Sequence, residues 1–211
     1  MRVVKDPVVR KSEILDAAEN LFITKGYNET SILDIVNTVK VAKGTFYYYF
    51  KSKEEILDEV LLRLISEDEK RMNIVLHDTT LSPIKKMTML ILAQQPQPGD
   101  KKNLITEEFH KPGNAEMHQR GAKLGLVRLA PILAQAVREG VEQGVFSTDT
   151  PLEDVEMMFA ASFVMFDEVI TAYTPEEAPK KAAAFLRNAE RILGAKQGSF
   201  DEMLEFLLYS K

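Results

Sequence analysis

Lys43, Thr45, Tyr47, Tyr48 and Tyr49, with Lys53 shortly after them, are the side chains whose types and spacing carry chemistry in this chain. Lysine ammonium groups and tyrosine hydroxyls bond phosphate oxygens, which fixes the register of a nucleic acid without reading its sequence. Thr45 and the rings of Tyr48 and Tyr49 can touch base edges and thymine methyl groups. Gly44 lacks a side chain, so another backbone can approach closely there. On a helix, Phe46 and Phe50 fall four residues apart and face the other way, inward.

The elements that must hold this face are legible around it. Ile32, Ile35, Val36 and Val39 recur at helical spacing, so a first helix has one side to bury. Thr30 or Ser31 supplies its N-cap oxygen, and Ser31 with Asp34 resembles a capping box. Val41 packs the turn. The stretch Thr30–Lys53 thus reads as a short apolar helix, a tight turn and a basic, aromatic-rich helix, the ground plan of a helix-turn-helix DNA reader. Upstream, Asp6 and Pro7 read as N-cap and first position of a helix that buries Ile14, Ala18, Leu21 and Phe22 and stops at Gly26. Arg2 and Lys5 precede it on an arm, read as a solvated terminus rather than a minor-groove contact.

The segment Ile14–Leu57 resembles the N-terminal domain of the TetR/AcrR family of bacterial transcriptional regulators. The matching residues are Ala18, Leu21, Phe22, Gly26, Tyr27, Thr30, Ser31, Ile35, Val41, Lys43, Gly44, Thr45, Tyr47, Tyr48, Phe50, Lys53 and Glu54. The resemblance implies a homodimer that binds a palindromic operator, represses, and is released by a small molecule. It also implies that Thr30, Tyr47 and Lys53 contact phosphate, while Lys43, Gly44, Thr45, Tyr48 and Tyr49 lie at the bases. Three positions depart from the family's pattern. Lys40 stands where a glycine is usual, at a position favouring φ > 0, a cost on the order of 1 kcal/mol. Ala42 replaces the usual serine, so the second helix has no side-chain N-cap, at roughly 1 kcal/mol. Val36 replaces a small residue where the two helices cross.

Composition agrees once it is divided. The 211 residues carry a net charge of −5, but residues 1–53 hold nine Lys/Arg against six Asp/Glu, and the rest 18 against 26. The positive end coincides with the motif, and the local field is what DNA senses. There is no cysteine, which excludes disulfides and thiol catalysis and fits a reducing cytoplasm. No run approaches ~18 uninterrupted apolar residues, so no membrane span is expected, and no signal-like apolar segment opens the chain.

The expected fold is all-α, about nine or ten helices, with a DNA-binding head over residues 1–51 and a larger helical bundle over 52–211 for ligand binding and dimerisation. Ser52-x-x-Glu55 caps a helix with a wide apolar stripe (Ile56, Leu57, Val60, Leu61, Leu64, Ile65), a rigid lever with no flexible linker. Ser82-Pro83 opens another, ending before the Gln95–Gly99 loop; Asp100 caps a short helix through Phe109. A long helix from Asn114 to about Gln143 contains Pro131, where a kink is expected. Thr150-Pro151-x-Glu153 and Thr174-Pro175-x-Glu177 each read as a capping box with proline at the first position. They launch helices through about Ala172 and up to Gly194. Ser199-x-x-Glu202 starts the last.

The helix at about 152–172 is apolar on more than one side, so something must cover it. With the helix at 176–193 it is expected to form an isologous four-helix homodimer interface, an arrangement the resemblance also implies. An effector pocket, which the resemblance implies, would be lined by Met89, Leu92, Phe109, Met117, Leu124, Phe159, Phe163 and Phe166, with Gln95, Gln119, Arg128 or Glu168 as polar anchors. Simple core packing is the competing account of each. His77, His110 and His118 match no metal-ligand template, and no catalytic set emerges. An enzyme, or a ligand-independent architectural or partner-binding protein, are the alternatives to a ligand-responsive repressor of a double-stranded operator. No cofactor is implied.

Overall fold

The structure, a computed structural model, describes residues 6–95, 104–105, 114–166, 171 and 174–209. Among them it has nine α-helices and no strand, the all-α fold expected. They are α1 Pro7–Thr24, α2 Ile32–Val39, α3 Lys43–Tyr49, α4 Lys53–Leu76, α5 Pro83–Leu92, α6 Ala115–Glu142, α7 Pro151–Met165, α8 Ala178–Leu193 and α9 Asp201–Tyr209. Most of the expected Gln95–Gly99 loop and of the short helix after Asp100 lies outside the described residues. The chain divides into two compact units, residues 1–64 with 97–121, and residues 65–96 with 122–211.

In the first unit, α1 begins where Asp6 accepts a hydrogen bond from the Val8 amide at 2.8 Å, with Pro7 just inside. Ile14, Leu15, Ala18 and Phe22 are its buried apolar residues; Leu21 is only half-buried, one step off the seam. Gly26 sits at φ +94°, a turn that brings Tyr27 back edge-on against Phe22 at 5.1 Å. The Ser31–Asp34 capping box forms in both directions and launches α2. Lys40 closes α2 in the left-handed region at φ 58°, the strained position expected from the missing glycine. α4 starts at Ser52, whose hydroxyl accepts from the Glu55 amide at 3.2 Å, while the Glu55 carboxylate reaches back past it to the Lys51 amide.

Polar pairs lace this unit. Lys11 meets Glu59 at 3.0 Å, and Arg63 bridges Asp16 and the buried Glu19, so α1 and the first half of α4 are tied twice. The beginning of α6 joins them. Arg120 reaches both carboxylate oxygens of Asp58 at 3.0 and 2.9 Å, Asn28 donates to Asn114 at 3.0 Å, and Met117 is fully buried.

The second unit packs Ile65, Met72 and Leu76 of α4, Met87 and Leu90 of α5, and Leu129, Leu133 and Val137 of α6 with Val155, Leu186, Leu193, Phe200 and Met203. Pro131 lies inside α6, which continues on both sides of it. Gly140 lets the chain double back, since a Cβ there would stand 2.2 Å from the Phe146 ring. Three details of the expected helices change. Thr150 makes no side-chain cap; the Thr148 hydroxyl accepts from the Thr150 amide and donates to the Asp154 carboxylate. α7 ends at Met165, short of Ala172. The Thr174-Pro175 signal forms only a turn, the Thr174 amide donating to Glu177 at 2.9 Å, and α8 begins at Ala178 with Pro179 near its N-terminus. Neighbouring Ser/Thr and Pro residues offer the same local chemistry, and packing chooses between them.

Two outcomes follow. Lys40→Gly relieves the left-handed backbone and, net of glycine's extra unfolded-state entropy, raises stability by about 0.5–1 kcal/mol, read as a higher urea midpoint. Tyr27 is buried, 2% exposed, and its hydroxyl has no hydrogen-bond partner among the described residues. Burial, then the nearby Glu54 and Glu116 carboxylates, push its pKa up to about 12. A folded-state pKa raised above the unfolded value contributes stability that is complete below about pH 10 and lost as pH rises through about 12. The stability difference between wild type and Tyr27→Phe, followed by urea unfolding across that range, must show this loss. At neutral pH the substitution is neutral or stabilising, because it removes a buried unsatisfied hydroxyl.

Candidate nucleic-acid interface

α3 is a seven-residue helix, too short to persist alone in water. Its first residue follows Ala42, which makes no side-chain cap bond, so local chemistry does little to hold it. Phe46 and Phe50 do: both are fully buried, 5.7 Å apart between ring centres, and they fasten the inner face of α3 to the head. Truncating a core phenylalanine costs about 3–5 kcal/mol, several times a missing cap.

With that face committed, the opposite one is fixed. Lys43, Gly44, Tyr47 and Tyr48 are exposed, Tyr48 at 77% being the barest large side chain of the helix. A Cβ at Gly44 would meet nothing within 4 Å, so the surface is open there. Thr45 and Tyr49 are half-buried at its rim, and Tyr49 stands perpendicular to Tyr48 at 4.9 Å. The Lys43 ammonium lies 5.9 Å from the centre of the Tyr47 ring, leaning its charge along the aromatic surface.

Two residues expected at phosphates are bonded within the protein. Thr30 is buried, 1% exposed, and its hydroxyl donates to the Gly26 carbonyl at 2.7 Å. The Lys53 ammonium donates to the carbonyls of Tyr27 at 2.6 Å and Thr30 at 3.0 Å, with Asn28 at 3.4 Å, above the Tyr27 ring. Desolvation lowers its pKa below the ordinary lysine value. Thr30 bonds a carbonyl only four residues back, whereas Lys53 reaches carbonyls more than twenty residues away, a partnership that spacing along the chain does not reveal.

The cations divide in a way that composition cannot show. Arg10, Lys11 and Lys25 are spent on Glu13, Glu59 and Asp34. The Asp34 carboxyl is accordingly held well below the usual carboxylate range by its bonds to Lys25 and Ser31. Among the described residues Lys40, Lys43 and Lys51 are exposed and make no ion pair, and they flank α3 at both ends. Lys40 and Lys51 were not among the expected contacts; their position beside the two helix termini was the available signal.

The residues expected to line an effector pocket fall in both compact units. Leu124 and Phe159 pack against the second unit's core, Phe159 3.5 Å from where a Gly125 Cβ would be. Phe166 meets Phe185 edge-on at 5.6 Å, and Met89, Leu92 and Phe163 are half-buried. Met117 belongs to the first unit's interior, and Phe109 lies outside the described residues, as do His110 and Glu168. Arg128 is held by Glu69 at 2.7 and 2.8 Å. A cleft beside α8 is lined by Ala183, Leu186, Glu190, Phe200 and Leu204, none of them on that expected set. No group of three or more metal-ligating side chains occurs among the described residues, and no helix there is long and apolar enough to cross a membrane.

Comparison with known proteins follows the same division. Residues 14–60 match the family model of bacterial regulatory proteins, tetR family, and residues 100–188 that of the tetracyclin repressor-like C-terminal domain. The transcriptional repressor KstR2 of Mycolicibacterium smegmatis is 34% identical over 87 residues, 41% of this chain and 42% of that protein. The chain thus spans about two fifths of the length of this curated relative. A structure of RolR in complex with resorcinol superposes at a TM-score of 0.66, with 19% identity and 94% of each chain covered. SmeT, the repressor of the Stenotrophomonas maltophilia multidrug efflux pump SmeDEF, gives 0.61, 20% identity, and 90% of this chain against 92% of its own. At those identities the two structures speak for the fold alone. The N-terminal match lies on the helices that seat α3 and the C-terminal match on the helices beyond it, so the chain belongs to the TetR family of bacterial regulatory proteins.

Proposed function

We propose that this protein is a transcriptional repressor that binds a palindromic double-stranded operator as a homodimer and releases it when a small molecule binds. The observation that carries the reading is α3: a helix fastened by Phe46 and Phe50 that turns Lys43, Gly44, Tyr47 and Tyr48 outward amid exposed lysines. Lys43, Tyr47, Lys40 and Lys51 supply the phosphate contacts in this reading, and Gly44, Thr45, Tyr48 and Tyr49 lie at base edges. Thr30 and Lys53 are left out of the contact set. Function divides as a DNA-binding head over 1–51 and an effector-binding and dimerisation part over 52–211. These are working regions, distinct from the compact units.

Dimerisation is assigned to the helices at about 152–172 and 176–193. What supports it is the uncovered apolar character of α7, where Met157 and Val164 are about half exposed and only Val155 is buried. Two α3 helices must reach successive major grooves, roughly 34–36 Å apart, so a dimer is what makes a palindrome readable. An effector shifts operator occupancy only by its differential affinity for two states of the protein, typically about 1–3 kcal/mol. The location is cytoplasmic and no catalysis is invoked.

Selection of duplexes from a random pool, followed by titration of the recovered sequence, tests the reading; recovery of no discrete sequence overturns it. Tyr48→Ala alters which sequences are recovered. Lys43→Ala weakens every duplex and lowers the salt slope by about 0.9. Val164→Glu buries a charge in the assigned interface, so sedimentation should show monomers and the operator affinity should fall in parallel.

A further inference from the structure

Lys53 stands at the first position of α4, yet its side chain reaches back across more than twenty residues of sequence. An ammonium has three protons, and three carbonyls receive them: Tyr27 at 2.6 Å, Thr30 at 3.0 Å and Asn28 at 3.4 Å. The charge lies 4.1 Å from the centre of the buried Tyr27 ring. Glu29, Glu54 and Glu116 face it at a distance, and no carboxylate among the described residues enters its hydrogen-bond shell. The carbonyls belong to the connection between α1 and α2 and end one residue before Ser31, the N-cap of α2. α3 lies in the chain between this connection and Lys53, with no side-chain cap and a strained turn of its own.

We propose that Lys53 is a positioning residue, a cationic staple that holds the α1–α2 connection to the start of α4 and so sets the seat of α3, rather than a contact to DNA phosphate. The role in DNA binding rests on the reading of α3 as the contact helix; the staple itself does not. A phosphate oxygen would have to displace carbonyls that already use the charge, and each bond to a charged group is among the stronger ones in a protein.

Lys53→Met keeps the apolar stem and removes the ammonium. In the free protein, hydrogen exchange of the amides between Gly26 and Asp34 should quicken roughly tenfold or more, as expected for losing a hydrogen bond to a charged group. On a duplex recovered with the wild type, affinity should fall across a salt series while the slope of log K against log salt stays that of the wild type. Unchanged exchange overturns the proposal, and so does a slope reduced by about 0.9, the mark of a lost phosphate contact. If Lys53→Met does not fold, Lys53→Gln, which keeps hydrogen-bond donors without the charge, is read by the same two measurements. Should the wild type recover no duplex, the DNA reading falls while the exchange measurement still decides the staple.

Discussion

Burial of Phe46 and Phe50 is the constraint on which the rest depends, because α3 has so little else. A helix of this length gains too few internal hydrogen bonds to offset its ordering cost, and here both ends are locally weak. Ala42 leaves the first amides without a side-chain acceptor, and Lys40 sits in a backbone region that L-residues avoid. Each of those defects costs about 1 kcal/mol, whereas each buried ring is worth several times that, so the rings win and the helix stands. Once the inner face is fastened, the orientation of Lys43, Gly44, Tyr47 and Tyr48 follows from helical geometry alone.

Electrostatics then acts on a prepared surface. An acidic protein with a net charge of −5 is an unpromising partner for DNA if its charge is averaged. Several cations of the first unit are consumed inside it, where Lys11 and Arg63 tie α1 to α4 and Lys25, just past the end of α1, pairs with Asp34 of α2. Those exposed pairs add little stability individually, at about 0–1 kcal/mol. Their larger consequence is spatial, since among the described residues they leave Lys40, Lys43 and Lys51 near α3 as exposed cations without an ion pair.

The beginning of α6 belongs with this head. Asn114, Met117 and Arg120 contribute a side-chain hydrogen bond, a buried apolar group and an ion pair to it. Both α4 and α6 continue along the chain into the second unit without a Gly/Ser linker. Helical connections of this kind carry a displacement where a flexible linker would absorb it. That is the physical basis for assigning the proposed ligand response to the same chain as the proposed DNA contact.

How much was legible varied with the range of the interaction. The Ser31–Asp34 box, the proline starts at Pro7 and Pro83, the left-handed Lys40, the uncapped Ala42 and the inward Phe46 and Phe50 all lie in the sequence as patterns of four residues or fewer. The all-α architecture follows from the same repeats. Where neighbours offered equal chemistry, as Thr148 beside Thr150 or Pro175 beside Pro179, tertiary packing picked the partner. The set Met89 to Phe166 shows the limit: apolar type and helical spacing say that a side chain is buried, not which cavity or core it joins. Lys53 marks it most sharply. Its residue type and position in the motif were plain from the sequence, but an ammonium takes the carbonyls that the fold presents, here more than twenty residues back, and chain distance holds no record of which ones those will be.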